Sequence, residues 1–127
     1  MKHLALIVAL IAGCYGSGGG GGTGGGGTGA TCPATAPPTY DSFGHQFFQS
    51  YCTRCHSTTS TDRMGAPDDL NWDTQAGIDQ HLADIEGQAA KGPNATNRLM
   101  PFTPPDPTDA ERETLGQFLA CEKLRAH

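Results

Sequence analysis

Between Tyr40 and Glu122 the apolar positions recur at helical spacing. Phe43, Phe47, Phe48 and Tyr51 make one aromatic face, which predicts a helix over about Asp41 to Cys52. Ile78, Leu82, Ile85 and Ala89 fall on a second stripe; it predicts a helix from about Thr74 to Ala90, stopped by Gly92-Pro93. A third helix is the best marked. Pro107 precedes Thr108-Asp109-Ala110-Glu111, a capping-box sequence, and Leu115, Phe118, Leu119 and Glu122 follow in register. Strand signals are weak: from Cys14 onward there is no Val, and the only Ile residues are Ile78 and Ile85. The pattern predicts an all-α fold of three to four helices.

The amino-terminal third breaks the pattern. Residues 1–13 read as a processing segment, with Lys2 as the positive start and Leu4 to Ala12 as an apolar run too short to span a bilayer. Leu10-Ile11-Ala12-Gly13-Cys14 is similar to a bacterial lipobox, in which small residues admit the signal peptidase and the Cys14 thiol takes lipid. The plainer reading is a secretory signal with an incidental cysteine; the tether that follows favours lipidation. Residues 14–39 form that tether, nearly all Gly with Thr and Ser as far as Ala30. Such a composition predicts a random coil spanning about 25–30 Å. Glycine runs cradle phosphate only between a strand and a helix, and neither flanks this one, so nucleotide binding is rejected. Residues 40–127 alone have the composition of a folded unit, and a core that small usually needs a staple.

The densest chemistry sits at the end of the first helix, in Cys52-Thr53-Arg54-Cys55-His56. Two thiols three residues apart, followed at once by an imidazole, is the spacing of covalent c-type haem attachment. On one helical turn positions i, i+3 and i+4 share a face, so all three side chains can address one flat macrocycle. Cys52 and Cys55 would become thioethers, and His56 would bind the iron. A thioredoxin-like redox site needs strands that this chain does not offer. A zinc site needs four ligands, and no second Cys-x-x-Cys or His pair follows.

A helix with Gly44 four residues before Phe48, the Cys-x-x-Cys-His motif at its end, Met100-Pro101 in a proline-rich loop and a terminal helix resembles a class I c-type cytochrome over about Tyr40 to Glu122. That resemblance implies one covalent haem c, held by Cys52, Cys55, His56 and a methionine as sixth ligand. Met64, Met100, His45, His81 and His127 are the candidates for that position. Met100 fits best: Pro101 keeps it out of helix, and Pro104, Pro105 and Pro107 stiffen its loop. A methionine that only packs on the haem is the alternative. The family also implies a proline carbonyl as acceptor for the second His56 nitrogen, and Pro67 lies near that place. Trp72 either donates its indole N–H to a haem propionate or is a plain core or rim residue. Gly44 and Gly116 match the glycines at which the family's two terminal helices cross, Gly116 being otherwise a tolerated mid-helix glycine.

Cys32 and Cys121 remain, flanking the two helices that this family packs together. Outside the cytoplasm spare thiols usually pair; two unpaired thiols are the alternative. Function follows as an expectation. The chain reads as an extracytoplasmic, lipid-anchored, monomeric single-electron carrier rather than an enzyme. A net charge of −5 favours redox partner proteins with a basic docking patch and no nucleic acid. The alternatives are a haem enzyme or ligand sensor with an open sixth position, and a fixed haem subunit of a larger oxidoreductase.

Overall fold

A computed structural model describes residues 25–126. The expected processing segment, the candidate lipidation residue Cys14 and the terminal His127 lie outside the described residues. Within them the protein is all-α, with only an isolated bridge between Lys91 and Thr96. No helix among the described residues is long and apolar enough to cross a membrane.

The first predicted helix is built in two parts. A π-helical turn, Tyr40–Gly44, leads directly into α1, His45–Tyr51. Thr39 opens it: its hydroxyl accepts from the Ser42 amide at 3.1 Å, and the Ser42 hydroxyl accepts from the Thr39 amide at 2.9 Å. The second predicted helix is likewise divided, into α2, Gln75–Asp79, and α3, Leu82–Ala89. The break falls at Gln80-His81, where the His81 amide turns back to the Ile78 carbonyl at 2.9 Å. Ile78, Leu82, Ile85 and Ala89 all stay buried across it, so the stripe reads through the break without showing it. The last helix, α4, is Asp109–Arg125 and carries the predicted capping box. Lys123 and Arg125 in its final turn suit the negative end of the helix dipole.

The core lies where α1, α3 and α4 meet. Phe48 and Phe118 pack at 6.3 Å between ring centroids, and Phe48 and Trp72 at 6.1 Å, both edge to face. Leu115, Leu119, Ile78 and Ile85 complete it. Gly44 lets the opening turn close on α4: a Cβ there would sit 2.9 Å from the Phe118 ring. Gly116 does not take the role expected of it. Its open side faces the Lys91 carbonyl and Ala30, so it admits a different segment to the surface of α4.

That segment corrects the expected domain boundary. Residues 25–32 are not a coil outside the fold; they form a strap laid over α3 and α4. The Gly25 amide donates to the Gly87 carbonyl at 2.7 Å, and the Asn94 amide to the Thr28 carbonyl at 2.9 Å. Asn97 Nδ2 reaches the Gly26 carbonyl at 3.0 Å. Thr28 is fully buried, and its amide and hydroxyl both donate to Glu86 at 2.8 and 2.6 Å. The partners lie some 60 residues further along the chain, which is why the glycine composition alone reads as coil. Cys32 and Cys121 are joined in a disulfide, with Cα atoms 4.7 Å apart. Closing a separation of 89 residues is worth roughly 4–5 kcal/mol in the chain-entropy model.

The strap makes stability depend on pH through Glu86. Burial pushes its carboxyl upward, but hydrogen bonds from Lys123 and Thr28 and the ammonium charge of Lys123 outweigh this and hold it below the ordinary range. A carboxyl lowered on folding stabilises fully above its unfolded value and loses that contribution as pH falls through the folded one. Glu86→Gln should therefore cost about 1–3 kcal/mol at neutral pH. The gap between variant and wild type should close below about pH 4, as read by thermal melts from pH 7 to 3.

Candidate functional site

The Cys52-x-x-Cys55-His56 motif sits where α1 ends, as a turn closed on one carbonyl. The Cys52 oxygen accepts from the Cys55 amide at 3.1 Å and from the His56 amide at 2.9 Å. The second bond is the i to i−4 bond of a helix, which is the geometry the spacing predicts. Both cysteines are free thiols. Burial pushes the Cys52 thiol up to about 12, so it is a neutral S–H.

His56 is buried, and its Nδ1 lies 3.2 Å from the Leu70 carbonyl. A carbonyl has no proton to give, so Nδ1 carries the N–H and the Nε2 lone pair is left free. Burial also lowers the affinity of the ring for a second proton, partly offset by the Leu70 bond and reinforced by the charge of Arg63. The acceptor is therefore Leu70 and not Pro67. The Pro67 carbonyl is turned to the Arg63 guanidinium at 2.5 Å and to the Leu70 amide at 3.2 Å. Trp72 returns the loop to the motif: its amide donates to the His56 carbonyl at 2.9 Å, and its ring stacks on the imidazole at 3.8 Å.

Met100 is partly buried against the core. Its amide donates to the Gln88 carbonyl at 3.0 Å, and its carbonyl accepts from Arg112 Nη1 at 2.9 Å. Arg112 is only 2% exposed, and the same nitrogen also reaches the Ala89 and Asn97 carbonyls at 2.8 and 3.1 Å. Arg54, between the two cysteines, reaches over to Thr103 and to the Pro104 carbonyl, joining the motif to the Met100 loop.

Cys52, Cys55, His56 and Met100 thus line a single cavity of about 450 Å³, with Trp72, Ile85 and Pro107 among its walls. That volume falls within the roughly 300–1,000 Å³ of cofactor and ligand sites. The residues present fit a covalently held haem on three counts. Two unpaired thiols flank an imidazole with a free nitrogen, a soft thioether shares the cavity, and the buried Trp72 Nε1–H has no acceptor among the described residues. A buried indole donor needs such a partner, which a carboxylate of the bound group would supply.

The remaining candidates are placed elsewhere or less firmly. Met64 also lines the cavity, but in an exposed turn, 48% accessible, with φ of +50°. His45 is exposed and pairs with Gln49 at 3.1 Å. His81 opens α3 and faces Asp84 at 3.6 Å. Arg63 and Arg112 were not singled out by sequence reasoning. For Arg112 the signal was present: it lies three residues before Leu115 and seven before Leu119, on the buried stripe of α4.

No protein-family model, curated protein or solved structure matches the chain.

Arg112→Met should unpair three buried carbonyls and release the Met100 loop. Stability should fall by at least about 3 kcal/mol in denaturant unfolding, and the Met100 amide should exchange with deuterium much faster than in wild type.

Proposed function

We propose that the protein is a membrane-tethered single-electron carrier with one covalently attached haem c, of the kind that class I c-type cytochromes represent. The observation that carries this reading is the convergence of Cys52, Cys55, His56 and Met100 on one apolar cavity. When bound, the haem supplies a reversible one-electron couple at its iron. The chain's own part is to hold and tune it. Cys52 and Cys55 would hold it as thioethers, each adding its S–H across a vinyl group with nothing released. Leu70 fixes the His56 tautomer and leaves the Nε2 lone pair free, so that Nε2 could bind the iron. Met100 offers a soft sulphur from a loop pinned by Gln88 and Arg112, and a thioether ligand raises the potential relative to harder donors. Phe47, Ile85 and Ala89 keep water from the ring.

Electron carriage needs no acid–base group at the metal, only a closed sixth position and a surface for partners. The net charge of −5 favours partner proteins with basic docking faces and disfavours nucleic acid. Cys14 is the proposed lipid anchor on the extracytoplasmic side of a bacterial membrane.

Met100→Ala should keep the haem covalently attached, lower the reduction potential and allow carbon monoxide to bind the reduced iron. Met64→Ala should leave the spectrum and potential as in wild type. Ready carbon monoxide binding by the unmodified protein would mean an open sixth site and favour a ligand sensor or haem enzyme instead.

Anchoring has its own test. Cells expressing the full chain and fed a fatty-acid analogue should yield labelled mature protein in the membrane fraction. Cys14→Ser should abolish the label, and an unlabelled, wholly soluble wild type would refute the anchor.

A further inference from the structure

Arg63 stands behind the candidate haem ligand His56 and has every donor occupied. Nη1 donates to the Ser57 carbonyl at 2.6 Å and to Asn71 Oδ1 at 2.8 Å. Nη2 donates to the Pro67 carbonyl at 2.5 Å and the Leu70 carbonyl at 3.1 Å, and Nε to the Ala66 carbonyl at 3.3 Å. A guanidinium has five N–H groups, so none is left for another ligand. Its nearest carboxylate, Asp68, is 3.6 Å away and fully exposed, and so neutralises little of the charge. Loop 57–71 is wrapped around a fixed, largely uncompensated cation.

One of those bonds is shared with the site. The Leu70 carbonyl accepts from Arg63 Nη2 at 3.1 Å and from His56 Nδ1 at 3.2 Å. Its two lone pairs can serve both donors. Yet a cationic donor draws electron density from the oxygen, so it pulls less strongly on the imidazole proton. A more strongly held N–H makes the ring a weaker electron donor through Nε2. The partner behind a metal-bound histidine normally raises its basicity; here the cation restrains that effect. The charge itself acts in the same sense, since it disfavours the more positive iron state.

We propose that Arg63 is a positioning residue that tempers His56 through the shared Leu70 carbonyl and raises the reduction potential of the bound haem. The proposal rests on the haem reading above and names what would set the potential on the histidine side.

The test uses the full chain matured with haem, carrying Arg63→Lys or Arg63→Met. R63K keeps the charge but loses the fork that reaches Leu70; R63M loses both. Covalent haem is first verified by the pyridine haemochrome spectrum, and a wild type without it overturns the haem reading itself. With haem present, the potential should fall in R63K and fall further in R63M. The His56 Nδ1–H proton resonance should move downfield in both, as the Leu70 bond to it strengthens. Folded variants with wild-type potential and an unmoved resonance would leave Arg63 as a loop brace and overturn the proposal. Should neither variant fold, the unmodified protein decides. Its Arg63 guanidinium protons should be separately resolved and slow to exchange, and fast, averaged signals would overturn the proposal.

Discussion

The buried guanidinium of Arg112 is the interaction on which the other parts converge. An unpaired charge in an interior costs several kcal/mol unless hydrogen bonds replace its hydration. Here the carbonyls of Ala89, Asn97 and Met100 supply them to Nη1, the carboxylates of Asp106 and Asp109 support the charge from a distance, and Nε is left without a partner among the described residues. Those three oxygens belong to the end of α3, the following loop and the candidate ligand itself. Asn97 then extends the grip: its side chain reaches the Glu86 and Gly26 carbonyls, and its amide the Ala90 carbonyl. Strap, α3, Met100 loop and α4 are therefore linked through a few adjoining polar groups. A well-packed apolar residue at 112 would fill the space but could not answer three carbonyls at once.

The two ends of the cavity are held by similar means. On the histidine side a loop folds around Arg63; on the methionine side a loop hangs from Arg112. Both use backbone carbonyls as the other partner, so the segments bearing His56 and Met100 are fixed although neither residue lies in a regular helix.

What the sequence made legible was mainly local. The Cys52-Cys55-His56 spacing, the capping box at Thr108 and Glu111 and the stripes of α3 and α4 depend on neighbours within a turn or two, and each is found in place. The pairing of Cys32 with Cys121 followed from the packing that the family resemblance implied. The failures were long-range. The strap's order rests on Glu86, Gly87 and Asn97, far along the chain, and nothing within residues 25–31 hints at them. Leu70 replaces Pro67 behind His56 because Arg63 turns the Pro67 carbonyl toward itself, a competition that no linear spacing reveals. Gly116 matches the helix-crossing glycine only through the family resemblance, whereas the segments it meets are Lys91 and the strap at Ala30.

The docked strap also fixes the length of the leash. If Cys14 is held in a bilayer, the span from it to the first docked residue ends at Gly25 rather than at Thr39, 11 residues on instead of 25. Fully extended, that is at most about 40 Å in place of about 90 Å. The leash also meets the domain at a defined point, beside Gly87 on α3, whose neighbours Ile85 and Gln88 form one wall of the cavity. If the protein carries electrons as proposed, a partner whose contact surface stands higher above the membrane than that reach would be out of range, whatever its affinity. On that reading the docked segment 25–30 would be the fastening of a short lead, beside the cavity and setting the height at which it can be touched.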